Sequence, residues 1–197
     1  MSTEEASLST GHEAASGQLR TRKAQVLTAA VPAQVADITA LVNRVYAEAE
    51  AGLWRDGATR TSEAEVAGLV EAGQVVVALH EDRVIGAVRL RQLDDRTGEF
   101  GMLVAAPEVR GTGLGRDLVA HAEEWARDEG LSRMQLELLV PQNWEHPVKE
   151  FLRSWYTRMG YEVVHRGDLT DDHPHLVPEL ACPCDFLVFH RELVPGT

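Results

Sequence analysis

The chain is poor in several things, and each shortage removes a class of protein. Its 197 residues include two cysteines, Cys182 and Cys184, on either side of Pro183. Two thiols are too few for a disulfide framework. A lone C-x-C is also only half of a zinc site, so two reduced thiols beside a strand are expected. No apolar run approaches membrane-spanning length, which argues against a membrane partner. The start of the chain lacks the basic-then-apolar pattern of a secretory signal, so a cytoplasmic location is expected. Basic residues are outnumbered, 19 Lys and Arg against 31 Asp and Glu, for a net charge of -12. That balance argues against non-specific nucleic-acid binding. Internal repeats are absent as well.

What is present is ordinary for a soluble enzyme: 44% hydrophobic and 25% charged residues. The length suits one compact domain with a real core. Residues 1–22 are rich in Ser, Glu, Ala and Gly without an apolar period, and read as a disordered tail before a domain at 23–197.

Within that domain the apolar periods alternate. Residues 24–30 read as a first strand. Pro32 sits where a helix accepts proline, and Val35, Ile38, Leu41, Val42 and Val45 recur at helical spacing toward Glu50. A loop at 52–57 precedes a second helix, capped at Thr61-Ser62 with Glu63 and Glu65 in its first turn and ended by Gly73. Residues 74–80, 83–93 and 99–105, separated by two turns, predict an antiparallel meander. Leu114, Leu118, Ala122, Trp125 and Ala126 mark a helix ending at Gly130. A strand follows at 134–140, then a helix on Val148, Leu152, Trp155, Tyr156 and Met159 closed by Gly160. Strands at 161–165 and 185–191 finish the chain, with an acidic, proline-bearing loop between them. Strands and helices mixed in one domain predict a mixed α/β sheet.

The most informative stretch is 100–116, where an apolar run leads through a glycine-rich turn into a helix. Glycine lets the chain turn without a Cβ clash. The helix behind presents free N–H groups and its positive dipole end to the turn, which suits a phosphate or pyrophosphate. A dinucleotide-binding fingerprint would place the glycines directly after the first strand of a βαβ unit. Here they follow four strands, and Pro107 to Arg110 intervenes. A phosphate-loop NTPase needs Gly-Lys-Ser/Thr, whereas Gly115 is followed by Arg116. Arg116 is a cation in a first turn, a misplacement that a nearby phosphate would explain.

Arg110-Gly-Thr-Gly-Leu-Gly115 fits the Arg/Gln-x-x-Gly-x-Gly/Ala signature of the GNAT superfamily of N-acetyltransferases. Met102 to Pro107 resembles that family's fourth strand and its approach to the loop. Trp155-Tyr156 followed by Gly160-Tyr161 resembles the aromatic-Tyr-x-x-x-Gly-aromatic segment of its last helix. The order of elements agrees over about residues 24–191. The resemblance implies a mixed central sheet of about seven strands flanked by about four helices, with the fourth and fifth strands splayed. It implies acetyl-coenzyme A as cosubstrate, its pyrophosphate on the amides of Arg110, Gly111, Thr112, Gly113, Leu114, Gly115 and Arg116. Its pantetheine arm would pair with the main chain of Leu103, Val104 and Ala105, where an N–H could stabilise the thioester oxygen. Tyr156 is, by the same resemblance, the acid that protonates or orients the sulfur. Many members carry an Asn seven residues before this tyrosine; here that position is Lys149, and Asn143 lies farther upstream in an enlarged loop.

Acyl transfer to an amine requires a neutral amine, and a primary amine has a pKa of roughly 10.4, so a base or water chain helps. Glu99 and Glu137 are the candidate bases. Glu137 alternates with Leu136 and Leu138 and faces away from them. Asp171, Asp172, His173 and His175 could line an acceptor pocket, but their spacing matches no metal-ligand set, and no metal site is expected. Trp54, Arg55 and Arg60 border the acceptor side by resemblance. The expected activity is transfer of acetyl from acetyl-coenzyme A to the primary amine of a small molecule, peptide or protein. A non-catalytic acyl-coenzyme A sensor and a structural domain with an empty loop are the alternatives. The acceptor is not named by the sequence, and a monomer and a homodimer look the same at this level.

Overall fold

The computed structural model describes residues 26–168, 170, 174 and 176–194. The predicted tail at 1–22 lies outside them. Seven strands form one sheet: β1 (Val26–Ala29), β2 (Val75–His80), β3 (Arg83–Gln92), β4 (Thr97–Ala105), β5 (Arg133–Pro141), β6 (Glu162–Asp168) and β7 (Cys184–Glu192). Their spatial order is β1-β2-β3-β4-β5-β7-β6. Every neighbouring pair is antiparallel except β4 and β5, which are parallel. The predicted meander is therefore β2, β3 and β4.

Four helices flank the sheet: α1 (Val35–Ala49), α2 (Glu63–Glu71), α3 (Leu114–Asp128) and α4 (Pro147–Arg158). Each starts where its sequence signal lies. Pro32–Gln34 forms a 3-10 turn ahead of α1, because Gln34 folds back and its Oε1 accepts from Val31 N at 3.0 Å. The Ser62 side chain caps α2 by accepting from Glu65 N at 3.2 Å. His146 caps α4 through Nδ1, which accepts from Val148 N, with Pro147 in the first turn.

The two faces of the sheet are separated by alternation along β4. A Cβ on Gly98 would meet Trp125 and Ala126 of α3 at 3.1 and 3.4 Å, so that face belongs to α3. Glu99 points to the other face, where α1 and α2 lie. Gly86 of β3 also lets α3 approach: an added Cβ would stand 3.0 Å from Leu114 Cδ2 and 3.1 Å from the Val104 carbonyl. The core between the layers is apolar and continuous, with Ile38, Val42, Val66, Leu114, Leu118, Met134 and Leu136 almost fully enclosed. A second cluster of Leu53, Leu139, Leu180, Cys184 and Phe186 lies where the α1–α2 loop meets β7. The two cysteines are unpaired as disulfides, with their sulfurs 3.8 Å apart, and Cys184 begins β7.

One feature positions the site. β4 and β5 pair only at Thr97, Gly98 and Glu99, opposite Arg133, Met134 and Gln135. Beyond that point both strands continue without a shared ladder. β4 carries a bulge there. Ala87 of β3 faces Val104 and Arg89 faces Gly101, which leaves Met102 and Leu103 opposite Val88 alone. Met102 takes a φ of 49°, and such a bulge increases the local twist and turns the strand away from its neighbour. No helix among the described residues is long and apolar enough to cross a membrane.

Candidate active site

At the end of β4 a 3-10 turn, Pro107–Val109, leads into the glycine loop and α3. Gly111 and Gly113 have φ of 79° and 97°, the left-handed region in which a Cβ is strained. Nothing lies within 4 Å of where a Cβ on either would project, so the space beside them is open. Gly113 is the N-cap of α3, and no side chain caps it. Its carbonyl accepts from Asp117 N at 3.1 Å. The N–H groups of Leu114, Gly115 and Arg116, one turn earlier, have no intrahelical acceptor by the geometry of a helix start. Such uncapped first-turn donors are the kind of group that can hold an anion. Two of the seven expected amides are spent differently. Arg110 N donates to the Pro107 carbonyl and Thr112 N to that of Val109, at 3.2 and 3.3 Å, because the turn closes on itself. The Arg110 side chain binds Glu48 at 2.7 Å. Arg116 is exposed at the loop.

At the fork lies a cavity of about 730 Å³. Its walls come from α1, the α1–α2 loop, the diverging ends of β4 and β5, and α4. Leu103 lines it. Val104 and Ala105 pair with Ala87 and Gly86 on their β3 side and have no ladder on the β5 side.

Tyr156 reaches the cavity from α4 and is only 6% exposed. Its ring is held by Trp155, Phe189, Phe100 and Tyr161, with centroids 5.0 to 6.1 Å away. Burial, with a smaller contribution from Tyr46, pushes its phenol above the usual range, so the O–H keeps its proton. Trp155 reaches the glycine loop: a Cβ on Gly115 would be 3.5 Å from its ring. The helix that carries Tyr156 thus also braces the first turn of α3.

The two candidate bases differ in surroundings. Glu99, 4% exposed at the crotch of the fork, is gripped by Arg89 through Oε1 and by Arg91 through Oε2. Its oxygens are committed to two guanidinium groups. Glu137 is an exposed residue of β5 that lines the cavity, facing away from Leu136 and Leu138 as its alternation requires. Trp54 and Arg60 line the cavity too, and Arg60 lies over the Tyr46 ring at 5.0 Å. Arg55 does not: its Nε donates to the Leu180 carbonyl and so pins the loop. The loop with Asn143 and Trp144 borders a separate hollow, and Trp144 packs over Gly52, so it does not shape the main cavity. Asp171, Asp172, His173 and His175 lie outside the described residues. Among the described residues no group of three or more His, Cys, Asp or Glu could hold a metal.

Sequence reasoning missed Glu50 and gave Lys149 only a negative part, as a missing Asn. Lys149 Nζ binds Glu50 Oε1 at 2.6 Å, both at the cavity wall and nearly inaccessible. Trp54 Nε1 donates to the other Glu50 oxygen at 2.5 Å. The available signal was spacing: Lys149 precedes Tyr156 by seven residues, two helical turns, and shares its face.

The Acetyltransferase (GNAT) family matches residues 40–161, more than half of the chain. No curated protein matches the sequence. Solved structures do match. One is an aminoglycoside 6'-N-acetyltransferase complexed with coenzyme A, 15% identical, with a TM-score of 0.65 over 87% of this chain and 99% of that one. Salmonella typhimurium yncA with its cofactor acetyl-CoA is 19% identical, with a TM-score of 0.64 over 89% and 97%. The ribosomal-protein-alanine N-acetyltransferase of Brucella melitensis is 17% identical, with a TM-score of 0.63 over 85% and 99%. At such identities the likeness shows the fold, and the family match over the loop, the fork and the tyrosine helix shows the lineage: the chain belongs to the GNAT family of acetyltransferases.

Proposed function

We propose that this protein transfers an acetyl group from acetyl-coenzyme A to an amine. The observation that carries the reading is the fork: β4 and β5 part after Glu99, β4 runs on to the uncapped first turn of α3, and Tyr156 lines the cavity beside the parted strands. The residues present fit such a substrate: open space at Gly111 and Gly113, three first-turn N–H donors, and a β4 edge with no strand against it.

The substrate supplies a thioester whose carbon an amine can attack, so that a C–N bond forms as the C–S bond breaks. The protein's part is positional and protonic. The first turn of α3 holds the diphosphate, and the dipole of that helix favours its charge. The free edge of β4 near Leu103 orients the arm and offers N–H groups to the carbonyl oxygen. Tyr156, protonated across the working range, keeps an O–H for the departing sulfur. Glu137, exposed on β5 and lining the cavity, is the base we favour for the amine proton. A thiol of pKa about 8.5 leaves readily, so the tyrosine assists a step that is already feasible.

The test is binding followed by turnover. Acetyl-coenzyme A at about 100 times its Kd should add about 2.7 kcal/mol to stability, read as a rise in Tm. A panel of amines is then assayed for free thiol. No shift at saturation would refute the reading, and a shift without turnover on any amine would leave a binding protein instead.

A further inference from the structure

The cavity's charges pair unequally, and the inequality says something about the acceptor. Lys149 neutralises Glu50. Glu65 accepts from Thr61 Oγ1 at 2.8 Å, on the side where Arg60 lies over Tyr46. Glu99, however, faces two guanidinium groups. Arg91 holds Oε2 with both Nε and Nη2, which already satisfies one cation. Arg89 adds a contact to Oε1 through a single Nη2. The Glu99–Arg91–Arg89 group therefore carries one positive charge in excess, and Arg89 is its more enclosed cation.

Arg89 is also the least satisfied of the three. Its side chain is 19% exposed and lines the cavity. Its Nε is the one buried side-chain nitrogen or oxygen without a hydrogen-bond partner among the described residues. A buried donor left unpaired is costly, and native proteins seldom tolerate it without a reason. Gly101 makes the arrangement possible. Arg89 lies flat over it, and a Cβ there would come within 3.0 Å of Nη2 and 3.4 Å of Nε. Gly101 is two residues past Glu99, just beyond the crotch of the fork. A planar, half-satisfied guanidinium thus lies at the cavity wall just beyond the crotch of the fork.

We propose that the acceptor is an amino acid, an amine whose own carboxylate is received by Arg89. The proposal rests on the acetyltransferase reading. A carboxylate matches the planar fork of a guanidinium, and a small turn of the head group presents Nε and one Nη together. Glu99 then acts as the clamp that holds Arg89 in place, and Arg91 holds the clamp. Arg89 lines the cavity from β3 and Glu137 lines it from β5.

The experiment compares L-amino acids with their own carboxamides on the wild-type protein. The pair differs in the carboxylate charge and keeps the amine. Acids should be favoured by about tenfold or more in kcat/KM, since a site built for a charged group rejects the analogue lacking it. Arg89→Gln should bring that ratio to about one, and Arg89→Lys should restore part of it, with far-UV spectra and Tm checking the fold. Equal or better turnover of the carboxamides would overturn the proposal and point to peptide N-termini or neutral amines. A wild-type preference that survives in a folded Arg89→Gln protein would overturn the role of Arg89. Acetyl-coenzyme A binding is read separately by its effect on Tm. A failure there sinks the acetyltransferase reading, whereas a failure of the acid-to-amide ratio with coenzyme bound sinks only this proposal.

Discussion

Lys149 Nζ and Glu50 Oε1 meet 2.6 Å apart, with the side chains 3% and 6% exposed, tying the first turn of the tyrosine helix to the end of α1. A pair so enclosed makes each charge depend on the other. Removing one partner strands the other without solvent. Lys149→Ala should therefore cost about 3–5 kcal/mol in denaturant unfolding. Lys149→Met combined with Glu50→Gln should recover most of that loss, because both charges are gone. A single-variant cost below about 1 kcal/mol would mean that water reaches the pair.

Tyr156→Phe should slow turnover by about 100-fold, the lower end of general acid catalysis, and leave acetyl-coenzyme A affinity nearly unchanged. The ring packing among Phe100, Tyr161 and Phe189 is preserved in phenylalanine. A pre-steady-state measurement of thiol release separates the chemical step from product release. An unchanged rate would remove Tyr156 from the chemistry.

The same buried phenols set an alkaline limit on stability. Burial raises both Tyr156 and Tyr161 above their ordinary value of about 10, and for Tyr161 the charge of Glu123 adds to the rise. Above that pH the unfolded chain loses protons that the folded chain keeps. The folded state then binds more protons, so stability is full below about pH 10 and falls as pH rises beyond it. Urea midpoints measured from pH 8 to 11 should show the decline. Tyr161→Phe, which lowers the midpoint at pH 8 by losing the 2.9 Å bond to Glu123, should make the decline shallower and leave the share due to Tyr156.

Gly86→Ala tests how closely α3 must sit. The added methyl would meet Leu114 and Leu118 of α3 at 3.0 and 3.2 Å and the Val104 carbonyl at 3.1 Å. Overpacking of this kind costs about 1–3 kcal/mol. Because Leu114 begins the helix whose first turn is proposed to hold the diphosphate, acetyl-coenzyme A affinity should weaken along with stability. Calorimetric titration of Gly86→Ala beside Gly68→Ala, where a Cβ meets nothing, separates this effect from a general one.

The cysteines should differ in reactivity. Burial pushes the Cys184 thiol up to about 12, while Cys182 is partly exposed. A disulfide reagent at pH 8 should modify one thiol per folded chain and two after denaturation. Fast modification of both in the folded protein would contradict the packing of Cys184 against Leu53 and Phe186.

The sequence alone determined the elements and the glycine turn that begins α3. Ser62, Pro147 and the closing glycines are local signals, so the helix ends fell within a few residues of where their chemistry put them. The alternation of β4 and β5 and the Gly113 turn are local as well. What the tertiary structure decided was pairing across long separations. Glu50 and Lys149 lie 99 residues apart in the chain, and no local pattern announces that they share one buried bond. Glu99 looked like a base because its strand position was legible and its two arginines were not. Their grip exists because antiparallel pairing sets Arg91 opposite Glu99 and Arg89 opposite Gly101. The fork has the same origin: a one-residue excess in β4 becomes a bulge only against the register of β3, and only then does β4 turn away from β5.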